Sequence, residues 1–457
     1  MITDEKIKKY TSMRMALWGN LLTSDICGNN CLFCSNKHNP EAVKTVKVGK
    51  RKLEDLLDEI NFFPTNIEQI HLGETNFNTT EGEIIEYPYF KELILEIKKK
   101  RPKTNLAITS SGNSLTEDMI QFLKEHNIAL TLSIHSLNPE IRAKLTGNTL
   151  QRAQIAINSL ELCFKYNIQL ETVRLVPMSF VPDEDIYNTL KYLIEHDVEQ
   201  IHIWVASFSK FAEGENVEHL YKECQRISNI INSLNDISAK HFTKITLLPF
   251  PENLTKNIIT NVKPGSYAAQ VGLQNNDEVI SIDNILIING SHIKTLLASI
   301  NFINTILIKR NNNFITLKNI NGPLVEKNII TNEIISFDII ERIYYAVMED
   351  REHSLVICSE ASVQNILESL KRMGLFDNSF HHTIAYNKTF GGNICVNGLL
   401  TIDDYLIALK EYRIKNPNNH ITKIIIAQDS FYSGERDVTS RPLQDLRVEG
   451  CVDVILI

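Results

Sequence analysis

Short apolar runs alternate, through the first 250 residues, with longer segments whose apolar positions recur every three or four residues. Those two periods are typical of β-strands and amphipathic helices. The predicted strands are Met15–Leu22, Ile67–Leu72, Leu106–Thr109, Ala129–Ile134, Leu170–Val176 and Ile201–Ala206, and Ile245–Leu248 is a candidate edge strand. The predicted helices are Leu53–Ile60, Tyr89–Lys100, Thr116–Glu125, Pro139–Leu145, Thr149–Tyr166, Asp183–Glu195 and Asn216–Leu234. Because parallel neighbours need crossover helices, this α/β alternation predicts an open, partial (β/α)6 barrel.

The pattern changes after Pro249, and we expect three domains with bounds at 10–250, 255–320 and 325–457. The middle segment is short and rich in strand-forming residues. The last segment predicts a smaller α/β domain with a helical lead-in. Its predicted elements are the helix Ile330–Met348, the strand Leu355–Ser359, the helix Val363–Met373, and the strands Ile421–Ala427 and Val452–Ile457.

Composition narrows the class of protein. The 457 residues are 43% hydrophobic and 22% charged, which is typical of a soluble globular protein. A net charge of −8 gives no support to nucleic-acid binding. The first residues lack the apolar segment of a secretory signal, and no run is long enough to span a membrane. Eight cysteines without a disulfide-like spacing favour a reducing cytoplasm.

Three of the cysteines, Cys27, Cys31 and Cys34, fall within eight residues directly after the first predicted strand. Thiolates are ligands for iron–sulfur clusters and for zinc. Three cysteines would leave one iron of a tetranuclear cluster open to a substrate or cofactor. A zinc site formed with His38 is an alternative, because a Cys-x3-His spacing suits zinc. Chance placement of three buried cysteines is the remaining alternative.

The Cys-x3-Cys-x2-Cys spacing, with Phe33 before the last cysteine, resembles the signature of the radical S-adenosylmethionine (SAM) enzymes. The resemblance implies a [4Fe–4S] cluster on the three cysteines, with SAM chelated at the open iron. One-electron reduction of SAM would then give a 5′-deoxyadenosyl radical. Chemistry in such barrels takes place at the carboxyl ends of the strands, where the cysteine loop is predicted. The zinc alternative explains none of the matches at the later strands.

Elements that resemble SAM-binding segments follow the second, third and fourth predicted strands. Gly73-Glu74 is similar to part of the family's Gly-Gly-Glu element, which holds the SAM ammonium. Ser111 belongs to a small polar cluster suited to a ribose or a carboxylate.

The fourth predicted strand and its helix add Ser133, His135 and Arg142 as SAM-binding candidates. A period of two places Ser133 and His135 on the same side of a strand. The resemblance implies that Arg142 reaches the SAM carboxylate. No catalytic residue that acts on a substrate can be assigned.

Residues 259–283 resemble a bacterial PDZ domain, with a Pro264-Gly265 turn, an Ala-rich helix, Gly272-Leu273 and the strand around Val279. PDZ domains capture a peptide C-terminus by adding it as a strand to a sheet edge. A peptide or protein partner is therefore one expectation. A module that only docks beside the barrel as a lid or spacer is the alternative, since no carboxylate-binding loop can be identified.

Asn387-x-x-Phe390-Gly391 and Val396-x-Gly398-Leu-Leu resemble domain of unknown function 512, which occurs in PDZ-containing radical SAM proteins. In that family we expect the PDZ unit first, whereas here it lies between barrel and C-terminal domain. Among the scattered cysteines, Cys358, Cys395 and Cys451 lack a CxxC pair and are expected to be small buried residues.

The resemblances together imply an enzyme that abstracts hydrogen from a substrate, with flavodoxin or ferredoxin as electron donor. The PDZ-like module favours a peptide or protein substrate. The lack of a recognisable extension for auxiliary clusters weakens that interpretation, so a small-molecule or cofactor-biosynthesis reaction is the alternative. A different class of protein, a non-catalytic PDZ scaffold with a structural zinc at the cysteine loop, would bind no SAM.

Overall fold

A computed structural model describes residues 16, 19–35, 37–43, 47–73, 82–212, 220–238, 240–249, 257–331, 335–431 and 435–457. The chain divides into two compact units, one before and one after residue 220. None of the helices in those described ranges has the length and apolarity that a membrane crossing requires.

The first unit is built on six parallel strands that follow one another across the sheet in chain order. They are β1 (Asn20–Leu21), β2 (Gln69–Leu72), β3 (Asn105–Ser110), β4 (Ile128–Ser133), β5 (Leu170–Leu175) and β6 (Gln200–Trp204). This order is the one predicted for a partial (β/α)6 barrel, and the predicted fold class is confirmed. Because neighbouring strands are parallel, all their carboxyl ends lie along one edge of the sheet.

Helices connect these strands and cover the sheet. They are α1 (Leu53–Glu59), α2 (Phe90–Lys100), α3 (Glu117–Glu125), α4 (Pro139–Thr146), α5 (Leu150–Lys165) and α6 (Asp183–Glu195), with 3-10 turns at Ile60–Phe62 and Ile84–Glu86. Helix α2 buries Phe90, Leu93, Ile94 and Ile97, a spacing that forms one helical stripe. Apolar residues recur with the helical period because the buried face of each helix packs on the sheet, and this is why the sequence pattern predicts these helices.

Local sequence fixes helix α4, which carries one of the predicted site residues. Asn138 caps its first turn by accepting hydrogen bonds from the backbone N–H groups of Glu140 and Ile141, and Pro139 occupies the first helical position. Gly147 ends the helix with φ = 60°, a left-handed conformation that glycine adopts without steric cost.

The second unit begins with α7 (Leu220–Ser233), α8 (Asn235–Ser238) and β7 (Lys244–Leu248). A β-rich module follows, with β8 (Ile259–Val262), α9 (Tyr267–Gln270), β9 (Glu278–Ile282), β10 (Ile285–Leu286), α10 (Gly290–Ser299), β11 (Ile303–Arg310), β12 (Asn313–Ile320), α11 (Gly322–Glu326) and β13 (Ile329–Thr331). Strands β9 to β12 form an antiparallel sheet in the order β10-β9-β11-β12.

Strand β13 corrects one prediction, because Ile330 lies in a strand and not at the start of a helix. Its backbone pairs antiparallel with β8, with Ile329 opposite Val262. Helix α12 (Phe337–Glu349) begins only after this strand. The Thr260 hydroxyl of β8 also donates to the carbonyl of Ile330, 70 residues later in the chain. Tertiary pairing therefore overrides the local helical pattern.

The C-terminal part of this unit is a four-stranded, fully parallel sheet in the order β15-β14-β16-β17. Its elements are β14 (Ser354–Ser359), α13 (Val363–Arg372), β15 (His381–Ala385), α14 (Ile402–Lys415), β16 (Lys423–Ile426), α15 (Leu443–Gly450) and β17 (Asp453–Leu456), with 3-10 turns at Asp377–Ser379, Asn397–Leu399 and Gln428–Ser430. The α/β class predicted for this region is confirmed.

Helix α10 of the PDZ-like module packs directly against this C-terminal part. The His292 ring stacks on Phe337, with ring centroids 3.8 Å apart. Arg372 donates to the Ile288 carbonyl at 2.7 Å, and the Asn289 side chain donates to the Ile335 carbonyl at 3.1 Å. These contacts fix the start of α12 to the start of α10.

Candidate functional site

The cysteine loop follows β1 at the carboxyl edge of the barrel sheet, where the sequence predicts it. Cys27 is exposed, Cys31 and Cys34 are half-buried, and all three are free thiols. Burial, together with the neighbouring Cys34 and Cys27, raises the pKa of Cys31 to about 12. The three sulfur atoms are thus close enough to interact electrostatically.

The thiols are near one another but do not converge in ligating geometry. Within the described ranges, no group of three or more His, Cys, Asp or Glu side chains is arranged to hold a metal ion. This covers both the three-cysteine set and the zinc alternative with His38. The assignment of Cys27, Cys31 and Cys34 as ligands therefore remains a prediction.

The backbone of the loop is anchored to the end of α4. The N–H groups of Asn30 and Leu32 donate to the carbonyls of Thr146 and Leu145, each at 2.9 Å. Gly147 lies so close that an added Cβ would come within 2.5 Å of the Asn30 carbonyl oxygen. A larger residue at 147 would push the loop away from the helix end.

Side chains add further anchors. The Asn29 side-chain oxygen accepts hydrogen bonds from the amides of Asn113 and Asn148, each at 2.6 Å. The Lys37 ammonium donates to the carbonyl of Cys31 at 2.8 Å. The loop is thus held from two sides, by the residues that follow β3 and by the α4–α5 connection.

An ion pair holds the residue after Cys27. Glu86 accepts from the N–H of Gly28 at 3.0 Å, and Arg152 donates to the Gly28 carbonyl at 3.3 Å. Glu86 and Arg152 also bond directly to each other, and the Ser114 hydroxyl donates to Glu86 at 3.0 Å.

Arg142 is fully buried on α4. One guanidinium nitrogen, Nη2, donates to the carbonyl of Ser111 and, at 3.2 Å, to that of Ser133. Burial lowers the pKa of Arg142 to about 10, which still leaves it charged at neutral pH. Its Nε and Nη1 atoms are buried without a hydrogen-bond partner. Unpaired buried donors of a charged group are costly, so their presence points to a bound acceptor.

Ser111 is held by a buried carboxylate that the sequence did not single out. Its N–H and hydroxyl donate to Glu83 Oε2 at 2.8 and 2.6 Å. Burial raises the pKa of Glu83, although the Ser111 and Ser110 hydrogen bonds oppose that shift. The Ser111 hydroxyl is therefore occupied within the protein, and its carbonyl serves Arg142.

His135 lies beyond the end of β4, with φ = 63°. The strand period that was expected to orient His135 with Ser133 therefore does not apply, since the strand ends at Ser133 and His135 has a positive φ. Its ring is buried 4.7 Å from the Phe33 ring, centroid to centroid, and Nδ1 has no hydrogen-bond partner. Burial, and secondarily the charge of Arg142, lowers the pKa of His135 well below its usual value. A neutral imidazole therefore lies beside the cysteine loop.

Gly73 ends β2 with φ = 79°, and an added Cβ would lie 2.6 Å from the Thr109 carbonyl oxygen. The position requires glycine on steric grounds. Glu74, the second half of the predicted SAM-binding element, lies outside the described residues.

Sequence reasoning missed Glu83, Glu86 and Arg152. The two acidic residues lie in a segment without periodicity or a motif. Arg152 is separated from Gly28 by 124 residues, so no local pattern could join them.

Two expectations about cysteines of the C-terminal domain need correction. Cys358 is buried as predicted, but Cys395 is half-buried and Cys451 is exposed. In the loop before α15, Asp437 is buried and accepts hydrogen bonds from the backbone of Ile402 and Thr439, so it braces that loop.

Comparison with known proteins agrees with this geometry. Residues 21–193 match the family model of the radical SAM superfamily, and residues 258–310 match that of the PDZ domain. The first match covers the cysteine loop and the strands up to α6. It contradicts the interpretation of the chain as a non-catalytic scaffold.

Two curated relatives are each similar to somewhat less than half of the chain. The GTP 3′,8-cyclase of Aquifex aeolicus (strain VF5) is 25% identical over 239 residues, which are 49% of this chain and 68% of that protein. The GTP 3′,8-cyclase of Yersinia pestis is 23% identical over 42% of this chain and 54% of that protein.

Solved structures that match part of the chain include Streptococcus suis SuiB bound to S-adenosylmethionine, at 12% identity and a TM-score of 0.36, covering 50% of this chain and 49% of that one. Native anSMEcpe with bound AdoMet has 15% identity and a TM-score of 0.37, covering 53% of this chain and 71% of that one.

The sequence motif, the parallel sheet and the family matches agree on one identification. The chain contains a radical SAM domain over residues 21–193 and a PDZ domain over residues 258–310. These findings indicate an enzyme, and enzymes with a radical SAM domain use a [4Fe–4S] cluster and S-adenosylmethionine.

Proposed function

We propose that Cys27, Cys31 and Cys34 hold the [4Fe–4S] cluster and that the barrel binds SAM beside them for hydrogen abstraction from a small-molecule substrate. When bound, these groups supply a 5′-deoxyadenosyl radical after transfer of one electron from a flavodoxin- or ferredoxin-like donor. The observation that carries the proposal is the set of unpaired buried polar atoms next to the cysteine loop.

Those atoms suit an amino-acid ligand. Arg142 offers two unpaired donors, Nε and Nη1, and the fork geometry of a guanidinium matches a carboxylate. The His135 Nδ1 and the Asn113 side-chain oxygen are also buried without partners. SAM carries a carboxylate, an ammonium and a ribose, so this donor and acceptor set fits it.

The remaining residues keep the site in shape. Glu83 fixes Ser111, whose carbonyl in turn holds the guanidinium of Arg142. Phe33 and the neutral His135 ring place apolar surface beside the thiols, which helps to exclude water from a reactive radical. A site fixed in advance loses less free energy on binding its ligand.

The substrate class rests on two observations. The curated relatives are named for a reaction on GTP, a small molecule. The second observation concerns the PDZ module, where a peptide would have to add as a strand to an available sheet edge.

Both edges of the β8–β13 ladder are already used by this chain. Beyond β8, the Ile259 N–H donates to the Asp277 carbonyl at 2.9 Å. Beyond β13, Lys294 of α10 donates to the Ile329 carbonyl at 3.1 Å, and the Thr331 hydroxyl donates to the Gly290 carbonyl at 3.1 Å.

The gap between β13 and α10 is too narrow for another strand. Cα atoms of the two elements approach within 8 Å. A strand inserted there would need about 5 Å on the β13 side alone, before any side chains met the helix. Lys294 also pairs with Glu326 at 2.8 Å, which closes the same side. We therefore infer that the PDZ module couples parts of this chain and that no substrate peptide adds as a strand between β13 and α10.

The cluster assignment is tested by replacing Cys31 with Ala and, as a matched control, the buried Cys358 with Ala. After anaerobic reconstitution, the Cys31→Ala protein should lose its brown colour and its SAM cleavage, whereas the Cys358→Ala protein should keep both. Equal iron content in the two variants would refute the assignment.

The substrate class is tested by adding fluorescent peptides with free C-termini to the full chain. We expect no saturable binding by the wild type. Saturable binding that is lost on blocking the peptide carboxylate would overturn the inference and restore the peptide-substrate interpretation.

A further inference from the structure

The Glu86–Arg152 ion pair holds two consecutive peptide groups directly after Cys27. Glu86 binds the N–H of Gly28, which belongs to the Cys27–Gly28 peptide, at 3.0 Å. Arg152 binds the carbonyl of Gly28, which belongs to the next peptide, at 3.3 Å. Two opposite charges thus fix both the position and the orientation of the backbone that carries the Cys27 thiol.

The fit of Gly28 against the pair is close. An added Cβ at Gly28 would lie 2.7 Å from Arg152 Nη1 and 2.9 Å from each carboxylate oxygen of Glu86. Any side chain at this position would separate the pair or displace the loop. The Ser114 hydroxyl, 3.0 Å from Glu86, keeps the carboxylate in place.

Stability alone does not account for this arrangement. The side chains of Glu86 and Arg152 are 22% and 31% exposed, and ion pairs with that access to water contribute little to folding. Their distinctive property is their target, since both bind backbone groups of the loop. The other anchors lie on both sides: the Glu83 N–H donates to the Ile26 carbonyl at 3.1 Å before Cys27, and the rest lie further along the loop, at Asn29 to Leu32.

We propose that the Glu86–Arg152 pair is a positioning device that sets the Cys27 thiol for cluster ligation. This inference rests on the proposed function for the role of Cys27, but not for the contact itself. Loss of either partner releases the peptides on both sides of Gly28. The Cys27 thiol then samples more positions, while the thiols of Cys31 and Cys34 keep their backbone anchors.

The test uses the variants Glu86→Gln, Arg152→Met and the double variant in the full chain. Glu117→Gln and Lys165→Met are controls, because that ion pair, with 2.7 Å between Nζ and Oε1, lies on α3 and α5 without touching the loop. The first readout is the alkylation rate of each cysteine in the cluster-free protein, followed by peptide mapping. The second is the rate of iron loss to a chelator after reconstitution.

We expect Glu86→Gln and Arg152→Met each to raise Cys27 alkylation relative to Cys34, and to speed iron loss about tenfold, as for a lost charge-assisted hydrogen bond. The double variant should be no worse than either single variant, because the two side chains act together. Arg152→Lys, which keeps the charge without the fork, should give an intermediate rate.

Alkylation and iron-loss rates equal to those of the Glu117 and Lys165 controls would overturn the proposal. So would strictly additive effects in the double variant. If the wild type holds no cluster, the proposed function fails, yet the Cys27 alkylation ratio in the cluster-free protein still decides whether the pair positions the thiol.

Discussion

Replacing Arg142 with Met separates ligand binding from folding, because this buried guanidinium has both satisfied and unsatisfied nitrogens. In the folded protein, Nη2 donates to the carbonyls of Ser111 and Ser133, whereas Nε and Nη1 have no partner. Removing the side chain therefore leaves two backbone carbonyls without their hydrogen-bond donor. It also removes two unpaired donors that belong to a buried charged group.

The two folding terms are similar in size and opposite in sign. Each lost hydrogen bond from the charged guanidinium costs about 1.5–3 kcal/mol, and each buried unsatisfied group costs about 1–3 kcal/mol. We expect the free energy of unfolding of the Arg142→Met protein to stay within about 2 kcal/mol of the wild type, since replacing a buried charge by a packed apolar group is often neutral.

The effect on SAM binding is expected to be large. Loss of a carboxylate contact to a charged donor costs about 1.5–3 kcal/mol, so two such contacts correspond to a roughly 100-fold or greater rise in the dissociation constant. Isothermal titration of SAM into anaerobically reconstituted protein measures this, with iron content matched between samples. The dissociation constant of the Arg142→Lys protein for SAM should fall between those of the wild type and Arg142→Met, since lysine keeps the charge but not the two-pronged geometry of the guanidinium.

The matched control is Arg101→Met. Arg101 lies in the same domain and also donates to backbone carbonyls, those of Ile60, Phe63 and Pro64, at 2.7 to 3.0 Å. This variant should lose thermal stability but keep its affinity for SAM. If Arg142→Met bound SAM as tightly as the wild type at equal iron content, the role given to Arg142 would be wrong.

Three further outcomes follow from the packing. Gly73→Ala should lower the melting temperature by about 2–8 °C, because left-handed strain costs about 1–2 kcal/mol and the new Cβ would lie 2.6 Å from the Thr109 carbonyl oxygen. The loss should exceed that of Gly374→Ala, where φ is 88° but no atom lies within 4 Å of the added Cβ. Burial lowers the pKa of His292 to about 4. The unfolded state therefore takes up the proton first, and the stability of the second unit should fall by about 3 kcal/mol as the pH drops from 6.5 to 4. Urea titrations of the wild type and His292→Gln test this, and the same dependence of stability on pH in both proteins would count against it. Tyr405→Phe removes the buried hydrogen bond to Ser430, 2.7 Å, and should cost about 1–2 kcal/mol in urea unfolding without changing SAM cleavage.

Local periodicity was sufficient for the barrel strands β2 to β6, whose observed ends lie within two residues of those predicted. Each of these strands is short, apolar and flanked by an amphipathic helix, so one period dominates each window. Strand β1 was predicted as Met15–Leu22; of that range the structure describes residues 16 and 19–22, among which the strand is Asn20–Leu21. Strand β13 was missed because its identity depends on pairing with β8 and not on its own residues.

The site residues also divide into those that local sequence marks and those that only the fold brings together. Cys27, Cys31, Cys34 and Arg142 were found because a spacing or a position on a helix marks them. Glu83, Glu86 and Arg152 act through contacts between segments far apart in the chain, and only the fold brings them to the loop. The strand period does not apply to His135, because the strand ends at Ser133 and His135 itself has a positive φ.

The similarity of the C-terminal part to domain of unknown function 512 stays a prediction, as do the three domain bounds. What the structure adds there is a parallel sheet with its own core, which includes Leu355, Tyr405 and Ile424, and a PDZ module joined to it through His292 and Phe337. We infer from these contacts that the module serves architecture.

The central claim is tested most directly by mixing anaerobically reconstituted full-length protein with dithionite and SAM and measuring 5′-deoxyadenosine and methionine. Both products are expected in the wild type, and neither is expected in Cys31→Ala. A wild-type protein that carries the cluster but yields no 5′-deoxyadenosine, with or without candidate small-molecule substrates, would contradict it.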